Sequence, residues 1–232
     1  MLAKDYTRVF GGDQENFRRN RELFIRYQVP QKDRSIAFDL GAGSGFQSIP
    51  LASLGCEVTA IDLCEPLLDE INGKKGRLPI RTIRDNILNF ATVATSKIDY
   101  IVCMTDVISH FNSYEEIGEL FRKISRSLSE DGLFFLSFRD YSIERVDTNR
   151  FIPFYSDDEL IMTTFVEFGD EKNQVTDIIY RKEKGRWEMG VSSYMKLRLL
   201  PERIRELLGQ SDIRLIAEEG SNGSLTWIGK IQ

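Results

Sequence analysis

From Ser35 onward, short apolar runs alternate with stretches whose apolar residues recur at spacings of three and four. This pattern predicts strands at 36–40, 57–61, 80–83, 98–104 and 133–138. Helices are predicted between them at 46–54, 65–72 and 114–128, with a weaker helical stretch over 87–95. The runs 36–40, 98–104 and 133–138 are almost wholly apolar, as expected of strands covered on both faces. Strands alternating with helices imply right-handed crossovers, so the expected fold class is α/β with a doubly wound parallel sheet. Pro66 suits a first helical turn, where its missing N–H costs nothing, and residues 73–76 with their two glycines end that helix.

Beyond Tyr141 the rhythm changes. Stretches 160–168, 175–181 and 187–197 read as strands around turns at Gly169-Asp170 and Lys184-Gly185, predicting an antiparallel β insertion over 142–199. Pro201 opens a helix ending near Gly209, and 213–217 and 225–231 form a closing hairpin about Ser221-Asn222-Gly223. Ahead of the sheet, residues 1–34 read as a helical cap, with Asp13 capping a helix to about Gln28. The chain 1–232 thus reads as one domain, without repeat or linker.

Chemistry concentrates in Asp39-Leu40-Gly41-Ala42-Gly43-Ser44-Gly45, between the first strand and its helix. Glycines permit positive φ and remove Cβ atoms, letting a ligand approach bare main-chain N–H groups. The nicotinamide fingerprint needs a glycine three positions after Gly43, where this chain has Phe46. Asp39, two residues before the first glycine, suits a cation more than a phosphate; the alternative is a residue that only orders the loop. Asp62, ending the second strand, stands where a carboxylate accepts from ribose hydroxyls, or caps the helix from Glu65, or does both.

With Arg84-Asp85-Asn86-Ile87, the stretch 99–111 and Ser127-Leu128-Ser129-Glu130-Asp131-Gly132-Leu133-Phe134, these motifs resemble class I S-adenosylmethionine-dependent methyltransferases of small-molecule type. The resemblance covers about residues 35–140. It implies a Rossmann-like sheet of order 3-2-1-4-5-7-6 with strand 7 antiparallel, and S-adenosyl-L-methionine as cofactor, leaving S-adenosyl-L-homocysteine, without a metal. By position it implies Gly41, Ala42 and Gly43 against the methionine part and ribose, in a loop bounded by Asp39 and Gly45. Asp62 would hold the ribose hydroxyls and Leu63 pack on the adenine. Asp85 would accept from the adenine amino group, with Asn86 and Ile87 beside the ring, and Met104 and Thr105 would border the methyl group.

Methyl transfer is an in-line displacement in which positioning supplies roughly 7–11 kcal/mol, so no catalytic side chain is demanded. His110, the only histidine, reads either as a base or as a structural residue closing the loop after the fourth strand. Asp106 either lines the pocket or caps a local turn. Arg139, Asp140 and Tyr141 end the fifth strand at the ligand crevice, as substrate contacts or as an ion pair starting the insertion. Tyr6 and Phe10 fold over a pocket as a lid or pack on the sheet edge, and Trp187 and Tyr194 wall a pocket or simply pack.

A formal net charge of −5 opposes a broad nucleic-acid or anionic-membrane surface. Arg18, Arg19, Arg21 and Arg26 read either as an anion or RNA contact or as a solvated face balanced by Glu15 and Glu22. The fourth strand ends in Met104-Thr105-Asp106-Val107, without the Asp/Asn-Pro-Pro-aromatic element with which base-methylating enzymes hold a nucleobase. No apolar run approaches the roughly 20 residues that span a bilayer, and the first residues lack a signal-peptide core. Cys56, Cys64 and Cys103 fit neither a zinc site nor a disulfide framework and read as buried thiols of a cytoplasmic protein. The function expected is methyl transfer to an O or N nucleophile of a small molecule. The rivals are a non-catalytic S-adenosylmethionine or S-adenosylhomocysteine binder and an NAD-dependent dehydrogenase.

Overall fold

The computed structural model describes residues 2–32, 34–221 and 223–232; Asn222, within the expected hairpin turn, lies outside the described residues. Helices α1 (Tyr6–Val9) and α2 (Gly12–Arg26) precede β1 (Ile36–Leu40). The chain continues through α3 (Ser48–Ser53), β2 (Glu57–Asp62), α4 (Glu65–Lys74), β3 (Ile80–Arg84), α5 (Phe90–Val93), β4 (Ile98–Cys103), α6 (Tyr114–Ser127) and β5 (Leu128–Arg139). An insertion follows: β6 (Phe151–Ser156), β7 (Leu160–Glu167), β8 (Lys172–Glu183) and β9 (Arg186–Leu197). Helix α7 (Pro201–Gly209) and the pair β10 (Ile213–Ser221) and β11 (Ser224–Ile231) close the chain.

The main sheet has seven strands in the order β3-β2-β1-β4-β5-β11-β10, with β11 antiparallel to β5, which is the order implied by the resemblance. Its central strands β1 and β4 are almost wholly apolar, apart from the buried Asp39 and Asp99, because both faces are covered. On β1, Phe38 and Leu40 pack into a cluster with Ile117, Leu120 and Phe121 of α6 and Ile204 of α7. Ala37 packs the other way, with Phe24 of α2, Leu51 of α3 and Leu68 and Ile71 of α4. Asp39 shares Ala37's face, so its carboxylate is carried into the interior beside α3.

Several expectations need correction. Asp13 caps no helix: α2 starts after Gly11 without a side-chain cap, and Asp13 lies in its first turn, paired with Lys74 at 2.9 Å. Helix α4 runs through Gly73, and β5 starts at Leu128. The insertion is a four-stranded antiparallel sheet, β6-β7-β8-β9, because Phe151–Ser156 forms an edge strand despite Pro153. Cys56 and Cys103 are buried, and burial pushes the Cys56 thiol up to about 12; Cys64 is partly exposed between β2 and α4. The arginine face is balanced, with Arg18 on Glu15 and Glu22 and Arg26 on Glu219. No helix among the described residues is long and apolar enough to cross a membrane.

Candidate cofactor and acceptor site

The glycine loop is strapped to its neighbouring strand. Gly41 and Ala42 donate their N–H groups to Ile61 O at 2.8 and 3.0 Å, and Gly43 donates to Asp62 Oδ2 at 2.8 Å. This corrects the expectation of bare N–H groups. The carbonyl oxygens of Gly41 and Gly43 instead accept no hydrogen bond among the described residues. Only glycine fits at Gly41: φ is +79°, and a Cβ would stand 2.4 Å from Val107 Cγ2.

Two carboxylates flank that loop. Asp39 is buried; its Oδ2 accepts from Ser48 Oγ at 2.5 Å, while Oδ1 is buried without a partner. Burial, with Asp62 nearby, pushes its pKa up to about 7 against the opposing effect of the Ser48 bond. Asp62 Oδ1 accepts from Cys64 N–H at 2.8 Å, so this one side chain orders both the loop and the turn into α4. Each of its oxygens keeps a second lone pair. Leu63 beside it is 66% exposed, an apolar surface of the kind an aromatic ring covers. Past β3, Asp85 Oδ1 accepts from Asn86 N–H at 2.7 Å and Asn89 Nδ2 at 2.9 Å. Asn86 turns its side-chain oxygen to Leu88 N–H, capping a helical turn, and Ile87 is buried.

In the N-terminal segment Tyr6 lies over the loop, while Phe10 packs against an edge strand of the insertion. A Cβ on Gly43 would meet the Tyr6 ring at 3.4 Å, and that ring stacks on Phe46 at 5.8 Å and tilts against Phe10 at 4.5 Å. Phe10 in turn meets the edge of Phe154 of β6 at 5.1 Å. Burial and then the carboxylates of Asp62, Asp39 and Glu70 raise the Tyr6 pKa, so its hydroxyl keeps its proton. Two contacts tie this segment to α4: Lys74 pairs with Asp13 at 2.9 Å, and Thr7 donates to Glu70 at 2.6 Å. Asp5–Arg181 and Arg8–Asp157, both 2.5 Å, tie it to the insertion.

At the end of β4, Met104 is buried, and Thr105 and Asp106 both adopt left-handed backbone, at φ +63° and +65°. Such residues cost of order 1–3 kcal/mol each and persist only where their surroundings hold them. The hold is visible. Thr105 N–H donates to Ser137 Oγ at 2.7 Å, and Asp106 N–H donates to Ser137 O at 3.2 Å. Gln47 Nε2 reaches Thr105 Oγ1 at 3.3 Å. Asp106 does not cap the turn with its side chain: Oδ1 accepts from Arg139 N–H at 3.0 Å and Oδ2 pairs with Lys196 Nζ at 2.5 Å.

His110 stacks on Tyr194 of β9, with ring centroids 5.8 Å apart and planes 24° from parallel. Its pKa lies below the ordinary imidazole value, first through burial and next through Lys196, against the pull of Asp106 and Asp62. Tyr194 donates to Asp177 Oδ2 at 3.2 Å, and Thr164 donates to Asp177 Oδ1 at 2.8 Å. Tyr141 is buried, with its hydroxyl pKa raised by burial and then by Asp106. Arg139 makes no ion pair among the described residues, so the ion-pair reading of 139–141 finds no support. Trp187 is exposed, with Lys182 Nζ 5.8 Å from its ring centroid.

The site therefore has two ends. One gathers carboxylates and unpartnered carbonyls, a setting for a cation; the other gathers an imidazole, a shielded ion pair and tyrosines, a setting for proton handling. Ser48, Gln47, Ser137, Asp177 and Lys196 were not anticipated from sequence. The one available signal was the run Ser192, Tyr194, Lys196, polar at alternate positions of a predicted strand.

Comparison with known proteins bears on the fold. Residues 37–132 match the family model described as a methyltransferase domain. The Bacillus subtilis (strain 168) protein YqeM is 30% identical over 111 residues, 47% of this chain and 44% of YqeM. The chain spans less than half the length of the curated relatives it matches. A solved S-adenosylmethionine-dependent methyltransferase from Clostridium acetobutylicum ATCC 824 superposes with a TM-score of 0.79 at 18% identity, covering 98% of this chain and 95% of that one. CalS10 from Micromonospora echinaspora, an amino pentose methyltransferase, gives 0.81 at 12% identity over 100% of this chain and 97% of its own. The chain carries the fold of the S-adenosylmethionine-dependent methyltransferases among these structures, and residues 37–132 match a methyltransferase domain.

Proposed function

We propose that this chain, built on a methyltransferase domain, transfers a methyl group from S-adenosyl-L-methionine to an amine or hydroxyl of a small polar molecule. One observation carries the choice of donor: the N–H groups of Gly41, Ala42 and Gly43 are spent on β2, while Asp39 Oδ1 and the Gly41 and Gly43 carbonyls stay unpartnered. A pyrophosphate needs the N–H groups; an ammonium and a sulfonium need the carboxylates and carbonyls. That contrast supports a sulfonium donor over a dinucleotide.

When bound, the cofactor supplies a methyl group on a positively charged sulfur. The protein residues do the rest. Asp39 and the loop carbonyls receive the ammonium, Asp62 the ribose hydroxyls, and Leu63 with Asp85, Asn86 and Ile87 the adenine. Met104 and Thr105 border the transferred methyl. Tyr6 and Phe10 cover the crevice and exclude water. Asp106, Arg139 and Tyr141 contact the acceptor, and neutral His110 takes the proton an attacking amine or hydroxyl gives up. CalS10, an amino pentose methyltransferase, shares the whole fold, which favours a polar acceptor of that size.

Calorimetric titration of the purified chain tests the donor: micromolar binding of S-adenosylmethionine and none of NAD is expected. Binding of NAD alone would end this reading. Incubation with methyl-labelled cofactor and a panel of small amines and polyols then tests turnover, and binding without transfer to any panel member would favour the non-catalytic binder.

A further inference from the structure

The insertion does more than roof the crevice. We propose that Asp177, Tyr194 and Lys196 are positioning residues that set His110 and Asp106 for methyl transfer. The methyl-transfer end of the site would then be completed by the antiparallel sheet. This rests on the acceptor role given above to His110 and Asp106.

The contacts form two parallel chains across the gap between the insertion and the loop after β4. In one, Thr164 and Tyr194 both donate to the carboxylate of Asp177, and the Tyr194 ring lies flat against His110. In the other, Lys196, two residues along the same face of β9, clasps Asp106, whose other oxygen holds Arg139 N–H. Asp177 is 2% exposed, and no cation pairs with it among the described residues. A carboxylate that deep is costly to bury, and this one is answered only by hydroxyls. A β7–β8 pair needing only stability would place an apolar residue there.

Its effect is to fix one tyrosine ring, and that ring fixes the imidazole. The Lys196–Asp106 pair is similarly shielded, with side chains 13% and 16% exposed, so it is not a weak surface contact. It also helps hold the left-handed Asp106 in place. Groups facing His110 are Tyr194 and Lys196 from β9, Asp106 from its own loop, and Asp62 from the end of β2. Those from β9 come from outside the methyltransferase domain match.

The chain holds a single histidine, so one imidazole signal reports the site without any acceptor. The experiment is an NMR titration of that imidazole in the full chain, with nuclear Overhauser contacts between it and the tyrosine rings. In the wild type, contact with the Tyr194 ring and a pKa below that of free imidazole are expected. Lys196→Met removes a positive charge and leaves Asp106, so the His110 pKa should rise by about half a unit to one unit. Asp177→Ala should weaken the ring contact, Asp177→Asn should restore much of it, and Thr164→Val should leave it in place. Should Asp177→Ala fold poorly, Tyr194→Phe keeps the ring and loses only the hydroxyl, and the same weakening is expected.

An imidazole that titrates alike in all these folded variants, with an unchanged ring contact, overturns the proposal. That result is distinct from failure of the methyltransferase reading, which would appear as absent S-adenosylmethionine binding with the His110 contacts intact.

Discussion

In the main sheet every central strand buries apolar side chains on both faces, and the candidate site begins at the carboxyl ends of the strands, at Asp39 on β1 and Asp62 on β2. In the insertion, β9 turns Tyr194 and Lys196 toward the site and leaves Val191 and Met195 outside. The difference follows from what each sheet covers. The parallel sheet is sealed by helices on both sides, so its ligand contacts come from loops at strand ends. The antiparallel sheet has one face on the crevice, so the strand itself can carry polar side chains to a ligand. The glycine loop is held mainly by backbone contacts to β2, and the candidate acceptor end mainly by side chains.

The strongest way to break the first half is Gly41→Ala. The new Cβ meets Val107 at 2.4 Å on a backbone at φ +79°. Left-handed strain and overpacking together cost roughly 3 kcal/mol, or about 10 °C in Tm for a chain this size. Thermal unfolding checks the stability loss, and calorimetry should find S-adenosylmethionine binding abolished. An alanine variant that binds normally would mean the loop is not held as described.

Asp39→Asn separates stability from binding. With the folded pKa near 7 and the ordinary value of 3.8, the native state binds more protons than the unfolded chain between those pH values. Asp39 therefore costs stability progressively as pH rises from about 4 to 7, and that cost is constant above. The amide carries no such penalty, so the variant should melt higher than wild type at pH 8, with the gap closing toward pH 4. Cofactor affinity should move the other way, falling on the order of tenfold to a hundredfold as the carboxylate is lost. In the wild type, affinity should rise from pH 6 to 8 as Asp39 ionises, and in Asp39→Asn that rise should vanish.

How much of this was legible in the sequence follows the same division. A buried parallel strand announces itself as an unbroken apolar run, and a glycine loop by residues no side chain can replace. Sheet order and the residues at the ends of β1 and β2 were therefore readable. The insertion was harder. Edge strand β6 is paired only with β7 and contains Pro153, a residue that argues against a strand. On β9 the usual rule places the apolar alternates inside, yet Tyr194 and Lys196 face the site while Val191 and Met195 face out. Lys196 meets Asp106 across ninety positions of sequence, and only tertiary structure brings them together. The loop N–H groups were misread because their partner, Ile61 O, belongs to the next strand.

Lys196→Met should injure only the acceptor end. Removing one member of a shielded pair leaves Asp106 with Arg139 N–H alone. Turnover of any acceptor should fall about tenfold, with S-adenosylmethionine affinity within about twofold of wild type. Initial rates and calorimetry on the same preparation check both. Equal losses in binding and turnover would mean that the two ends are not built separately.

The smallest effect is expected one residue away. Met195 lies between Tyr194 and Lys196 and is 52% exposed on the outer face of β9. Its neighbours across that face include Gln174 and Glu167, in register through β8 and β7. Replacing Met195 with threonine keeps a strand-forming residue and removes no contact with the crevice. Exposed substitutions of this kind usually stay within about 0.5 kcal/mol, a Tm change of about 2 °C or less. Turnover and the His110 titration should stay at wild-type values. Because side chains on a strand alternate between faces, a one-residue register error would exchange the roles of Met195 and Lys196. Met195→Thr and Lys196→Met therefore form a matched pair: loss of turnover in the first with none in the second would place β9 the other way round and remove the insertion from the site.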